Sequence, residues 1–172
     1  MGLTKHQKDI ADQTIRSIRL STPDRRYTCL SGIGGTGKTF TTNYIAEQFE
    51  EDGYSIAITS TTHQACSVLQ EEMALSGFDV KTINSYLLMK PLKDSATLEL
   101  ATSKWDYQKI ENVDVLVIDE FSMLTKEVIF TINAYADAFN KDLKILLVGD
   151  ATQLIMQPDT IDELHIEDNT FY

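Results

Sequence analysis

Residues 30–45 read LSGIGGTGKTFTTNYI, from Leu30 to Ile45, and place four glycines and a lysine between an apolar run and a helical pattern. Gly32, Gly37, Lys38 and Thr39 fit the spacing G-x-x-x-x-G-K-[ST], with Ile33, Gly34, Gly35 and Thr36 filling the loop between them. The segment before it, YTCLSG, reads as a short buried strand, and KTFTTNYIAEQFEEDG after it reads as a helix stopped by Gly53. That context makes the match specific. Glycines let the backbone turn its amides inward around phosphate oxygens, and the helix that follows points its positive end at them. Lys38 is placed to bridge the β- and γ-phosphates of a nucleoside triphosphate, and the Thr39 hydroxyl to hold Mg²⁺. The plainer alternative is a flexible strand-to-helix turn with an exposed lysine.

Working outward, the chain alternates helix and strand without repeats. LTKHQKDIADQTIRSI sets Leu3, Ile10, Ala11, Ile15 and Ile18 near one helical face. YSIAITS, VDVLVIDE and LKILLVGD read as strands; helices are expected from about Thr62 to Leu75 and over TKEVIFTINAYADAF. Uniformly apolar strands separated by helices predict an α/β fold, a mainly parallel sheet with helices on both faces. Such sheets bind ligands at the carboxyl ends of their strands. VLVIDEFSM delivers Asp119 and Glu120 to one such end. Asp119 can reach Mg²⁺ through water, and Glu120 can orient or deprotonate an attacking water. VGDATQL ends another strand, where Gln153 can sense a γ-phosphate.

With 26 acidic against 15 basic residues the chain carries a formal charge of −11. Binding nucleic acid through a basic face is excluded, so any DNA contact must be local. Cys29 and Cys66 lack metal-ligand spacing and read as buried small hydrophobes of a reduced cytoplasm. No apolar stretch approaches the ~20 residues of a membrane span, so a soluble, cytoplasmic protein is expected.

In their order, LTKHQKDIADQTI, GIGGTGKT, ITSTTHQACSVL, KTINSYL, VLVIDEFSM and VGDATQL resemble the first RecA-like motor domain of superfamily 1 DNA helicases, of the RecD/Dda type that moves 5′ to 3′. The resemblance spans about residues 3 to 154. It implies a RecA-like P-loop NTPase that binds ATP and Mg²⁺ and couples hydrolysis to movement on single-stranded DNA when a second RecA-like domain completes it. It also implies that Gln7 reads the adenine edge, that Thr61, Thr62, His63 and Gln64 with Thr82, Asn84 and Ser85 touch the strand, and that Gln153 couples nucleotide state to DNA. Asn84 stands where the family usually has histidine. Thr61 and Gln64 also have the spacing of a helix capping box, a structural use compatible with the first.

The rhythm breaks between Leu92 and Ile110, where ATLELATSKWDYQKI reads as a small hairpin. By the same resemblance an insertion here forms a duplex-splitting wedge, with Trp105 as its stacking tip. The expected organisation is therefore a motor domain over 1–154 and an acidic tail over 155–172 carrying Asp159, Asp162, Glu163, Glu167 and Asp168. Two other readings remain open at this point: a self-assembling or partner-activated, loader-like ATPase, and a nonenzymatic ATP- or DNA-binding regulatory module.

Overall fold

Helix α1 (Lys5–Leu20) starts where Thr4 forms a capping box, its hydroxyl accepting from the Gln7 N–H at 3.2 Å while the Gln7 side chain accepts from the Thr4 N–H at 3.0 Å. Its buried residues Ala11, Thr14, Ile15 and Ile18 repeat at helical spacing. The computed structural model describes residues 2–73, 76–87, 90–91, 98–99, 112–150 and 170–171. After α1 come β1 (Tyr27–Ser31), α2 (Lys38–Glu51), β2 (Ile56–Ser60), α3 (His63–Glu72), β3 (Val80–Thr82) and α4 (Ile83–Tyr86). A two-stranded antiparallel pair, β4 (Lys90–Pro91) and β5 (Leu98–Glu99), precedes β6 (Val115–Asp119), a 3-10 turn (Phe121–Met123), α5 (Lys126–Phe139), β7 (Lys144–Gly149) and β8 (Thr170–Phe171).

The main sheet has the order β3-β2-β6-β7-β1-β8, and all its pairings are parallel. Alternate residues of its central strands enter two separate cores. Leu116, Ile118, Ile145 and Leu147 pack with α5 residues such as Ile129 and Ile132, whereas Val115, Val117, Leu146 and Val148 pack with Ile18 of α1, Ile45 and Phe49 of α2 and Leu69 of α3. Because both faces are buried, the central strands are largely apolar, most continuously in Val115–Ile118 and Ile145–Val148, which is why they were legible as runs.

Register then sets the site. Ser31 pairs with Gly149, and Asp119 with Val148, so the chain leaves β1 and β6 at the same edge with β7 between them. With strands spaced about 4.8 Å apart, the two exits stand roughly 10 Å from one another. The ladder runs one step further, with the Gly32 N–H donating to the Gly149 carbonyl at 3.1 Å. Gly149 also has to be glycine for space, since a Cβ there would lie 2.8 Å from the Phe121 ring and 3.2 Å from the Phe121 nitrogen.

The structure adds elements that sequence reading did not reach. β3 has three residues, α4 four and β8 two, each too short to show a period. Helix α3 starts one residue later than expected, at His63. Of the hairpin segment 92–110 only Leu98–Glu99 falls within the described residues, and it pairs with Lys90–Pro91 rather than inside the segment. Trp105, Gln153 and all of the acidic tail except Thr170–Phe171, which extends the sheet beside β1, lie outside the described residues.

Gly149→Ala should destabilise the fold by about 1–3 kcal/mol, since the methyl group has to displace a buried ring and a backbone nitrogen. Gly34→Ala, with nothing within 4 Å of the added carbon and no left-handed backbone, should leave the urea midpoint nearly unchanged. Equal midpoints for the two variants would contradict the packing argument.

Candidate functional site

The loop after β1 is shaped by two left-handed glycines, Gly35 at φ 79° and Gly37 at φ 82°. Gly37 occupies the N-cap of α2 without any side-chain cap, and the first turn carries no acidic residue, so the opening amides of the helix face outward unopposed. The loop is closed internally by the Thr36 hydroxyl, which donates to the Ile33 carbonyl at 2.9 Å. Lys38 folds over it, Nζ donating to the carbonyls of Gly32 at 2.5 Å and Ile33 at 3.0 Å. That posture holds the ammonium at the loop's mouth with one proton unspent.

Gln7 fixes the loop from outside. Its Oε1 accepts from both the N–H and the hydroxyl of Thr4, and its Nε2 donates to the Thr36 carbonyl at 3.1 Å. These partners determine the amide's orientation, because an N–H can face only Oε1 and a carbonyl only Nε2. A Cβ on Gly37 would sit 2.5 Å from that Nε2, so the closeness of Gln7 is a second reason for glycine there. In this state the Gln7 amide is engaged by α1's cap and the loop.

Two cavities meet at Thr39. The larger, about 1090 Å³, runs along α2 and is lined by Leu3, Lys8, Lys38, Phe40 and Tyr44 among others. Phe40 is 44% exposed on its wall. Sequence reading passed over Phe40 because an aromatic early in an amphipathic helix looks like core. The smaller cavity, about 320 Å³, brings Thr39 to the same space as Asp119, Glu120, Gln64 and Glu72. The loop and the acidic pair expected from sequence are thus brought together.

Burial, with smaller help from the charges of Glu120 and Glu72, holds the Asp119 carboxyl up at about 6 against the opposing pull of the Glu120 N–H and the Lys38 ammonium. A buried carboxylate of this kind gains by meeting a cation. Among the described residues no group of three or more His, Cys, Asp or Glu side chains could hold a metal alone, so a cation here would need other oxygens.

Glu120 is the one non-glycine residue of the described structure with a left-handed backbone, φ 58° and ψ 45°. Two hydroxyls grip it: Thr61 Oγ1 donates to its carbonyl at 3.2 Å and Ser122 Oγ to its Oε1 at 3.0 Å. Thr61 is the last of three hydroxyls that stitch the end of β2 to β6, after Thr59 to the Val117 carbonyl at 2.8 Å and Ser60 to the Asp119 carbonyl at 3.4 Å. The capping box read at Thr61 and Gln64 is therefore not formed. Thr62 caps α3 instead, accepting from the Ala65 N–H at 3.1 Å. His63 and Gln64 stand exposed on that first turn.

The second expected contact segment lies alongside. Ser60 pairs with Thr82, which brings the β2 exit and the β3 exit together. Thr82 caps α4 through the Ser85 N–H at 3.2 Å, Ser85 is exposed, and Asn84 keeps a buried Oδ1 without a hydrogen-bond partner. The side chains of Cys29 and Cys66 are buried, as expected. No helix among the described residues is long and apolar enough to cross a membrane.

Residues 2–159 match the family model described as the AAA domain. In sequence, the chain is similar to an uncharacterised protein of Acanthamoeba polyphaga mimivirus, 29% identical over an alignment of 140 residues that covers 73% of this chain and 28% of that protein. It is also similar to the ATP-dependent RecD2 DNA helicase of Deinococcus radiodurans, 26% identical over 153 residues, 89% of this chain and 18% of the helicase. In structure it resembles Pif1 of Bacteroides sp in complex with ADP-AlF4, with a TM-score of 0.62 and 20% identity over 96% of this chain and 36% of that one. The chain therefore spans less than a third of the curated relatives that it matches. The fold is RecA-like, shared with that Pif1 structure.

Asp119→Asn should stabilise the ligand-free protein at pH 7.5 by about 1–3 kcal/mol. The folded state keeps the Asp119 proton up to about pH 6, whereas the unfolded chain releases it near its ordinary 3.8. Stability therefore falls as pH rises between those values, and asparagine escapes the loss. Urea midpoints of the two proteins should converge by pH 4; a gain of the same size at pH 4 and pH 7.5 would rule out burial of the charge as its cause.

Proposed function

The chain belongs to the AAA domain family, and on that premise we propose that it is the ATP-binding motor domain of a superfamily 1 DNA helicase, coupling hydrolysis of Mg·ATP to translocation on single-stranded DNA once a second RecA-like domain completes it. The observation that carries this reading is the shared cavity of Thr39, Asp119 and Glu120 beside the loop that holds Lys38. ATP would supply the phosphoanhydride bond, and Mg²⁺ would neutralise the charge that builds on the phosphates.

The residues suit those groups. The amides of the glycine loop and the start of α2 would hold the phosphates, with the Lys38 ammonium against the β- and γ-oxygens. Thr39 and Asp119 would hold Mg²⁺, whose charge would favour the ionised form of the buried Asp119 carboxyl. Glu120, turned into the cavity, would accept the proton of the attacking water. Phe40 offers an aromatic face to the base, and Gln7 offers its Nε2 once Thr36 is released.

The single strand would cross the edge where β2 and β3 end, reading none of its bases by charge. His63, Gln64, Asn84, Ser85 and the amides of α3 are available to it. Thr61 and Thr62 contribute through backbone rather than hydroxyls, which are engaged. Gln153 as a γ-phosphate sensor and Trp105 as a wedge tip follow from the resemblance alone.

Lys38→Ala should weaken ATP affinity at least tenfold by titration calorimetry while the thermal melt stays put, because a point charge opposite the phosphates is removed. Glu120→Gln should bind ATP like the parent and fail to cleave it. Unchanged ATP binding in the lysine variant would sink the assignment of the loop.

The arginines set the turnover of the chain by itself. All four, Arg16, Arg19, Arg25 and Arg26, lie on α1 or on the turn entering β1, at the edge opposite Gly32 and Asp119. Arg19 is ion-paired with Asp52, and Arg26 with Asp137. An arginine finger is worth about 10³–10⁵ in rate, so the 172-residue chain should bind Mg·ATP and cleave it very slowly, with oligodeoxythymidylate giving little rescue. Fast, DNA-stimulated phosphate release by a monomer, with its mass checked by sedimentation, would show that no outside arginine is needed.

A further inference from the structure

We propose that the arginine-lined hollow at the C-terminal end of α1 is the docking site of the chain's own acidic segment, residues 159–168, which lies outside the described residues. The inference is independent of the motor-domain reading, since it concerns the edge of the sheet opposite the candidate nucleotide site.

Charge in this chain is divided. Residues 1–26 carry six Lys or Arg against three Asp, and the remaining residues nine against 23 Asp or Glu. The arginines gather where α1 ends and β1 begins. There a hollow of about 520 Å³ is lined by Arg16, Ser17, Leu20, Ser21 and Arg25 among others. Arg19 is paired with Asp52 and Arg26 with Asp137, whereas Arg16 forms no ion pair among the described residues. Leu20 is 74% exposed, an apolar side chain set among guanidinium groups. What fits such a surface is a stretch of peptide that carries carboxylates with apolar residues between them. A nucleic-acid backbone would meet Asp12, which lines the neighbouring hollow with Arg16, and would leave Leu20 bare.

Topology brings a stretch of that kind to the spot. β7 ends at Gly149, level with Ser31 at the exit of β1, and the described chain next joins the sheet at β8. β8 runs parallel to β1, with Thr170 opposite Cys29 and Phe171 opposite Leu30, so it is entered from the edge at which Tyr27 opens β1. The chain therefore has to return from the exit edge to the entry edge, and α1 packs against the strand it returns to. Asp168 stands two residues before Thr170, which limits its Cα to within about 7.6 Å of that residue. The returning segment carries Asp159, Asp162, Glu163, Glu167 and Asp168 without a Lys or Arg, and Ile161, Leu164 and Ile166 interleave them. Carboxylates for Arg16 and Arg25 and apolar side chains for Leu20 thus come in one piece of chain. Exposed ion pairs are individually weak. Tethering at both Gly149 and Thr170 makes the docking intramolecular, so no high affinity is needed. Docked, the segment would fix the entry of β8 and with it the outer edge of β1, the strand that carries the glycine loop.

Arg16→Lys and Arg25→Lys, both at exposed positions, keep the charge and give a water-soluble carbodiimide an amine to join to any carboxylate in contact. In the 172-residue chain each variant should yield peptides cross-linked between the new amine and residues 159–168. The yield should fall at least threefold between about 0.15 M and about 1 M NaCl, as the Debye length shrinks from about 8 Å to about 3 Å. A one-to-one mixture of nitrogen-14 and nitrogen-15 chains reports whether both halves of a cross-link come from one copy. Amide exchange at Thr170 and Phe171 supplies a second measurement. Arg16→Glu combined with Arg25→Glu should speed it at least about fivefold, and adding Asp162→Lys with Glu163→Lys should restore it. The proposal is overturned by cross-links that reach only other carboxylates, or by exchange in β8 that is indifferent to the charge reversals. Mixed-isotope cross-links would make a second copy the occupant, and loss of the cross-links on adding a twelve-residue oligodeoxythymidylate would assign the hollow to nucleic acid; either result overturns it as well.

Discussion

β1 and β6 never touch, yet everything proposed for this chain depends on how their ends stand to one another. β7 lies between them, and its backbone bonds to both put Ser31 level with Gly149 and Asp119 level with Val148. A slip of one residue in either ladder would turn each side chain to the opposite core and carry the acidic pair away from the glycine loop. Burial on both faces forbids that slip, since Leu116 and Ile118 would have to trade places with Val115 and Val117 in cores of different shape. Packing that has no chemistry of its own thus fixes the distance over which the chemistry works.

The site in turn is set against the stability of the fold. Asp119 is a carboxyl held where its charge is unwelcome, and Glu120 has a backbone turn that a glycine would adopt more readily. Among the described residues neither forms an ion pair. The hydroxyls of Thr59, Ser60 and Thr61 offset part of the cost by holding the strand that carries them, and Gly149 gives Phe121 the room to brace the turn. Conflicts between local preference and fold, kept in place by several neighbours, are characteristic of functional positions.

Much of this was legible from residue order. The four central strands and the long helices announced themselves because strands buried on both faces are largely apolar and helices buried on one face repeat at i, i+3 and i+4. The loop was legible because few glycine patterns end in Lys-Thr at a helix start. Short elements were not: Val80–Thr82 and Ile83–Tyr86 are defined by the neighbours they pair with, and three or four residues show no period. The cap of α3 failed for a different reason. Thr61 and Thr62 are the same residue type, and either can begin a helix, so sequence cannot tell which hydroxyl turns inward; the carbonyl of Glu120, some 60 positions later, decides it. The second role of Gln7, tying α1's cap to the loop, is likewise a contact across 29 positions that leaves no local trace.

A chain of charge −11 proposed to handle two polyanions needs a way around its own field. Its candidate nucleotide site achieves this with oriented backbone: left-handed Gly35 and Gly37 aim amides inward, α2 and α3 begin without acidic residues in their first turns, and Lys38 is the one cation that the loop itself contributes. Dipoles held in place by the fold act over a few ångströms and leave the far field negative, so attraction is confined to ligands that enter the loop or lie along the strand ends. A duplex docked broadly would meet net repulsion, whereas a single strand threaded across His63 and Ser85 would meet amides and hydroxyls. The acidic surface therefore works with the motor-domain reading, because a translocating domain must hold its track locally and let it go at each step.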